Sequence, residues 1–531
     1  MDPIGAEVFR HLFASIAEEM GVVLERAAYS PNIKERRDHS CAVFDARGRL
    51  AAQAAHIPVH LGAFPQMMAT LVPRFRWRPG DLVICNDPFV GGTHLPDISV
   101  ISPVFVTGRL RGFVANRAHH ADIGGAFPGS MAPTTEIYQE GVILPPICIR
   151  QRGRWEDGVL ELFLRNVRTP EERRGDLAAQ FGANDVGVQR FVELAECYGA
   201  AELRRRMDEA RRRSNRATAE VIAGFPAGRF TGEDWLDDDG HGSGPLPIRV
   251  SLLKRQRTLI ADFTGTAPQQ RGSINATLAV THSAVYYALL CLLPEGTPLN
   301  QGVFERVRVL APEGTLVNAC SPAAVAAGNV ETSQRTVDAV FAALAQAFPH
   351  RIPAASQGTM NNFTLGGQLP ETRQPWAYYE TTGGGAGASP ESDGISAVHC
   401  HMSNTRNTPA EAMEYHYPVR VRANALRTGS GGRGRHRGGD GVVRELELLA
   451  PATAVLLTDR RSRGPYGRDG GSPGRPGSNE LYRDGRWGPA PAKGQLELTA
   501  GERIRLATPG GGAWGHGPAS PGEGGDGTGA E

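Results

Sequence analysis

Residues 86–129 read NDPFVGGTHLPDISV (86–100), ISPVFVTGRLRGFVA (101–115) and NRAHHADIGGAFPG (116–129). The middle run is apolar and broken by turn residues, the pattern of two strands joined by a tight turn. A hairpin brings its two polar ends together. Asp87, His94 and Asp97 would then lie beside His119, His120 and Asp122. Mixed imidazole and carboxylate ligands suit a divalent metal such as Mn, Zn or Fe(II). Taken singly, each of these residues reads as an ordinary turn or surface group, since Asp before Pro commonly starts a turn. The grouping points to a metal or polar active site, and Gly91, Gly92, Gly124 and Gly125 flank it. Glycine lets backbone approach a ligand closely.

The whole chain bounds what such a site can serve. Its 531 residues accommodate roughly two to four domains. A net charge of +1 gives no electrostatic case for nucleic acid or an anionic membrane. The 66 Gly and 38 Pro predict many turns and loops. The seven cysteines form no CxxC pair, which argues against a zinc ribbon or thioredoxin-type motif. Cys85, Cys148 and Cys291 lie in apolar runs and read as small buried hydrophobes. This cysteine usage fits a reducing cytoplasm. Acids at Asp2, Glu7, Glu18 and Glu19 argue against a signal peptide. No uncharged apolar run reaches the ~18 residues that span a bilayer.

Around the central stretch, residues 3–28 carry helical periodicity. Glu35, Arg36, Arg37, Asp38 and His39 form a charged cluster leading into a hairpin at 41–53, and His56 and His60 follow it. These offer a second polar wall to the same cleft. Residues 82–87 read as a buried strand that holds Asp87 at its end. Glu136 and Glu140 precede a further strand, as general bases or as parts of a surface loop. Apolar residues every three or four positions make 155–224 helical, and strands return from 225. Asp237, Asp238, Asp239 and His241 read as a solvated turn. Residues 381–387, TTGGGAG, lack the GK[ST] ending of a phosphate loop. A second polar concentration holds His399, His401, Asn404, Arg406, Asn407, Glu411 and Glu414. The expected fold is α+β, a mixed multi-module fold with β-rich modules and a helical insert. Its parts are an N-terminal α+β domain with the site (1–154), the helical segment (155–224), a glycine-rich C-terminal α+β region (225–515) and a disordered tail (516–531).

Several stretches together carry a resemblance: SPNIKERRDHSCAVFD, GDLVICNDPFVGGTHLPD, NRAHHADIGGAFPGS, EGVILPPI, YETTGGGAGA, HMSNTRNTPAEAME, GSGGRGRHRGGDG and TPGGGAWG. The chain resembles the hydantoinase B / 5-oxoprolinase B family, which also includes the acetone carboxylase alpha subunit. The resemblance implies a subunit of a hetero-oligomer whose hydantoinase A-type partner binds ATP and phosphorylates a cyclic amide. The B-type chain then hydrolyses the activated lactam or hydantoin. Ketone carboxylation and a non-catalytic scaffold are the alternatives. The resemblance also implies a metal held by the HLPD and AHHAD motifs, that is by His94, Asp97, His119, His120 and Asp122. Neighbours in a strand face opposite ways, which favours His119 toward the metal and His120 as a second layer or substrate contact. Asp122 or Glu136 would take the proton.

Overall fold

The computed structural model describes residues 3–54 and 56–517, so most of the tail expected at 516–531 lies outside the described residues. Its centre is a seven-stranded sheet of β1 (His39–Asp45), β2 (Leu50–Gln53), β3 (Leu82–Cys85), β4 (Asp97–Val106), β5 (Arg109–His119), β6 (Ile147–Gln151) and β7 (Arg154–Trp155). The order is β2-β1-β5-β4-β3-β6-β7 and every pairing is antiparallel. The hairpin expected from 101–115 is β4–β5. Its turn is Thr107-Gly108, both left-handed at φ 49° and 74°, which the twist of a two-residue hairpin requires. The register sets Asp97 directly opposite His119.

Both faces of this sheet are covered. Helices α1 (Pro3–Ala27), α5 (Pro170–Tyr198) and their neighbours cover one face, where Cys41, Val43, Val114 and Ala118 join their core. Helix α3 (Ala63–Leu71) covers the other, with Ala42, Phe44, Phe113 and Ala115. The short α2 (Pro31–Lys34) leads into β1. Double burial explains why β1 reads as a continuous apolar run and not as an alternating one. The helical segment expected at 155–224 is α4 (Asp157–Arg165), α5 and α6 (Ala200–Ala223).

A second, four-stranded sheet follows: β8 (Arg229–Leu236), β9 (Leu246–Arg255), β10 (Thr258–Asp262) and β11 (Val307–Leu310), in the order β11-β10-β9-β8. Its core is shared with α7 (Leu278–Leu290) and α9 (Ser333–Ala347), while α8 (Gln301–Phe304) is a single turn. The C-terminal strands are β12 (Asn362–Gln368), β13 (Pro375–Glu380), β14 (Val419–Arg427), β15 (Gly441–Leu448), β16 (Ala452–Leu457), β17 (Ser478–Arg483), β18 (Arg486–Pro489), β19 (Lys493–Leu498) and β20 (Arg503–Ala507). They form sheets ordered β13-β12-β16-β19 and β14-β15-β20-β17-β18, which share one apolar core. Helix α10 (Ala410–His416) packs beside β14. The fold is thus mixed α+β with several separate sheets.

The glycine tracts have a packing role. A Cβ at Gly385 would stand 2.0 Å from the Gly439 carbonyl oxygen, and one at Gly511 would stand 1.9 Å from that of Ala386. Backbone meets backbone there, with Gly385 N donating to Pro509 O and Gly511 N to Gly439 O. Residues 381–387 are held the same way: the amides of Thr382, Gly384, Gly385 and Ala386 donate to carbonyls of Met360, Val398, Pro509 and Ile395. Those amides are engaged within the fold and do not form an open anion cradle.

Two sequence expectations are corrected. Cys291 is exposed, because it caps α7 where that helix reaches the surface, and Cys148 is only half-buried. The turn at 237–241 is less solvated than expected. Asp239 is buried, accepting from the amides of His241 and Ser243, and Asp237 accepts from those of Arg461 and Ser462. Among the described residues, no helix is long and apolar enough to cross a membrane.

Candidate functional site

Along β5, strand alternation sorts the side chains. Val114, Asn116, Ala118 and then His120 face α5: Asn116 donates to Gln180 O, and His120 Nε2 lies 2.9 Å from Gln180 Oε1. Phe113, Ala115, Arg117 and His119 face the opposite way, where Arg117 lies over the Phe64 ring. His119 and His120 are therefore separated by the sheet itself.

On the His119 face three ligand atoms converge. His94 Nε2 lies 3.2 Å from His119 Nδ1, and each lies 3.3 Å from Asp97 Oδ1. All three residues are buried. Among the described residues this is the one group of His, Cys, Asp or Glu whose ligand atoms close to within 4.8 Å of one another. Two atoms bound about 2.1 Å from one ion, at roughly 90–110° to each other, stand about 3.0–3.4 Å apart. The observed spacing meets that condition. Two histidines and one carboxylate on one side of an ion are also a known donor set for Fe(II) and related metals.

The surrounding groups fix each ligand. His94 Nδ1 lies 3.1 Å from the Ala326 carbonyl oxygen. A carbonyl only accepts, so Nδ1 carries the proton and the Nε2 lone pair faces inward. Asn329 Nδ2 donates to that Nε2 at 3.1 Å. The other oxygen of Asp97 is held by Thr93 Oγ1, which donates to it, and by His60 Nε2 at 3.2 Å. His60 is oriented in turn by Ser40 Oγ, 2.8 Å from Nδ1. Burial pushes the Asp97 carboxyl up, but His94, His60 and His119 together hold it well below the usual carboxylate range, so it is ionised at neutral pH. His119 stacks on Tyr379 at 4.5 Å and 11°, and the Arg36 guanidinium covers that ring at 4.9 Å. Its Nε2 is buried with no hydrogen-bond partner. The second polar wall expected from 35–60 is thus partly realised, through Arg36 and His60.

Other sequence candidates lie apart from this cluster. Asp87 caps the 3-10 turn Pro88–Val90, accepting from Phe89 N at 2.9 Å. Asp122 holds its own loop, accepting from the amides of Gly124 and Gly129 and from Arg168 Nη1 at 2.9 Å. Glu136 is exposed at the surface. These three are spent on loop geometry or solvent. Glu140, the other acid of that loop, is buried and accepts from the amides of Val325 and Ala326 and from Thr134 Oγ1. It therefore holds the segment whose carbonyl orients His94.

Sequence reading did not single out Thr93, Asn329, Ala326 or Tyr379. Asn329 sits in a π-helical turn, Gly328–Thr332, that precedes α9. Such turns recur at functional sites. The one available signal was a pair of polar residues, Asn329 and Glu331, closing an alanine-rich run.

Comparison with known proteins places the chain. The family model Hydantoinase B/oxoprolinase matches residues 2–517. The chain is 38% identical to 5-oxoprolinase 1 of Arabidopsis thaliana over 97% of its own length, and it spans 42% of that longer protein. It is 32% identical to a Pseudomonas sp. protein provisionally designated the B-type subunit of a D-/L-hydantoinase, covering 97% of this chain and 90% of that one. The crystal structure of an ATP-dependent caprolactamase from Pseudomonas jessenii superposes with a TM-score of 0.91 at 30% identity, covering 98% of this chain and 92% of the other. The chain belongs to the hydantoinase B/oxoprolinase family.

Proposed function

We propose that this chain is the B-type subunit of an ATP-dependent cyclic-amide hydrolase and opens a lactam or hydantoin ring activated on a separate, A-type ATP-binding subunit. The observation that carries this reading is the buried convergence of His94, Asp97 and His119 at 3.2–3.3 Å, in a chain similar to proteins named for ring-opening of cyclic amides. The partner is supported by a relative designated as one subunit of a hydantoinase and by the longer 5-oxoprolinase, of which this chain matches less than half.

His94, Asp97 and His119 would hold a divalent ion of the Mn, Zn or Fe class. Such an ion, when bound, supplies Lewis-acid polarisation of a carbonyl and activation of water near neutral pH. The chain's own residues do the positioning. Ala326 turns the His94 Nε2 lone pair inward, and Thr93 and His60 turn Asp97 Oδ1 inward. With His119 Nδ1 facing the ion, its unpartnered Nε2 would carry the proton available to a substrate. Phosphorylation of the amide oxygen on the partner makes that oxygen a leaving group. Water then adds to the same carbon and the C–N bond breaks, the ring nitrogen leaving as an amine and the carbon keeping the phosphate as an acyl phosphate. A second water cleaves that acyl phosphate to a carboxylate and free phosphate.

The test is product analysis. This chain and its A-type partner are given ATP with 5-oxoproline, a hydantoin, a larger lactam, or a ketone with bicarbonate. The expected result is ATP-dependent ring opening of one cyclic amide, requiring both chains and lost with His119→Ala. Carboxylation of the ketone, or full turnover by the His119→Ala complex, contradicts the proposal.

A further inference from the structure

A cavity of about 420 Å³ lies between the β1–β2 turn, the start of β5, helix α5 and the first turns of α6. Six arginines line it, Arg47, Arg49, Arg111, Arg204, Arg211 and Arg212, against two carboxylates, Asp45 and Asp208. Both carboxylates are already engaged. Arg49 reaches Asp45 at 2.6 Å and Asp208 at 2.9 Å. Arg211 pairs with Glu305 at 2.7 Å and lies 3.7 Å from Asp208. Among the described residues, Arg212 has only the Asp208 carbonyl oxygen, 3.2 Å from Nε. Among the described residues, Arg47, Arg111 and Arg204 have no side-chain hydrogen bond and no ion pair, and the Arg111 Nε is buried without a partner.

Three uncompensated guanidiniums around one concavity repel each other, and an anion between them relieves that repulsion. Guanidinium forks match phosphate oxygens two at a time. Ala200, where α6 begins, also lines the cavity, and that helix start has no side-chain cap, which favours negative charge there. The floor is apolar, from Phe191, Leu203 and Met207. The volume falls within the range of small-ligand sites. None of these residues belongs to the His94–Asp97–His119 cluster.

We propose that this cavity binds a small molecule carrying clustered phosphates, as a second site separate from the chemistry. Free polyphosphate and a nucleoside polyphosphate share that chemistry. The full-length chain is titrated calorimetrically at low ionic strength with tripolyphosphate, with ATP and with an oligoglutamate peptide. One-to-one binding of at least one phosphate ligand is expected, weakened about tenfold by Arg204→Ala or Arg111→Met through loss of a charge-assisted pair. Arg486→Ala, a control on the C-terminal sheet, leaves it unchanged. Should Arg111→Met fail to fold, the exposed Arg47→Ala and Arg204→Ala carry the test. Tighter binding of ATP than of tripolyphosphate assigns a nucleotide using the apolar floor, and equal binding assigns free polyphosphate. The proposal is overturned by no saturable binding below about 1 mM (a free energy near −4 kcal/mol). Equal weakening by Arg486→Ala, or oligoglutamate binding tighter than either phosphate, also overturns it.

Discussion

Asp97 depends on two neighbours for its direction. Thr93 and His60 occupy its outer oxygen and leave the inner one to the two histidines. Removing such a supporting group from a metal ligand costs roughly 10–100-fold in affinity. His60→Gln should therefore weaken metal binding by that order in a chelator-competition titration, with little change in Tm. Glu140 makes a different demand. Burial, the largest influence, raises its carboxyl to about 7 against 4.5 in water, despite bonds from Ala326, Thr134 and Val325. Its folded pKa lies above the unfolded one, so the neutral form favours folding below about pH 4.5 and that contribution is lost as pH rises toward 7. Glu140→Gln should gain stability relative to wild type across this window, by at most roughly 3 kcal/mol in denaturant titrations at pH 5 and pH 8. At this scale the sequence showed which residue types to look for, but not which would meet. His94, Asp97 and His119 were legible because one hairpin joins them. Asn329 lies 235 positions from its His94 contact, and Tyr379 arrives from another sheet. No local spacing records such a meeting. Asp87 and Asp122 have the right chemistry nearby in sequence, yet their carboxylates are taken up by backbone amides two to seven residues away.

Among the elements, the β4–β5 hairpin was readable because an apolar run with a turn at its middle has few other solutions. The π-helical turn at Gly328–Thr332 was not, since widening a helix by one residue leaves no mark in composition. The C-terminal glycine tracts invited a ligand-loop reading and proved to be sites of close chain packing. Gly385→Ala would drive a methyl into backbone on two sides, 2.0 Å from Gly439 O and 2.2 Å from Gly511 N. It should cost more than about 3 kcal/mol, or prevent folding, because rigid backbone cannot yield. Gly108→Ala is the comparison: its Cβ meets nothing within 4 Å, but φ is +74°. That change should cost only about 1–2 kcal/mol. Urea unfolding of the two variants separates crowding from backbone strain.

Across the whole molecule, the site is assembled from separate parts of the chain: the loop before β4 carries His94, β4 and β5 carry Asp97 and His119, and the α9 region and β13 supply Asn329 and Tyr379. A buried ionic network ties α9 and β8 to the sheet that contains β13. Asp459 pairs with Arg335 on α9 and with Lys493 at 2.7 Å, and Arg460 joins Asp234 on β8 to Asp338 on α9 at 3.1 Å. Asp459→Asn would leave Arg335 and Lys493 buried without their shared carboxylate. A loss of about 3–5 kcal/mol is expected in thermal or denaturant unfolding. The mixed α+β class and the helical stretch from 157 to 223 were legible from periodicity. The strand orders β13-β12-β16-β19 and β14-β15-β20-β17-β18 were not, because their pairings cross each other in sequence. The central claim is that this closure builds a metal centre from His94, Asp97 and His119. Elemental analysis tests it most directly, on purified wild type and on the His94→Ala, Asp97→Ala and His119→Ala variants, each incubated with Mn, Zn or Fe(II), desalted and checked for native Tm. Retention of about one equivalent by wild type and under about 0.1 by each folded variant is predicted, since every ligand is needed for a three-ligand site. A wild type that retains none of these metals, or variants that retain as much as wild type, would contradict it.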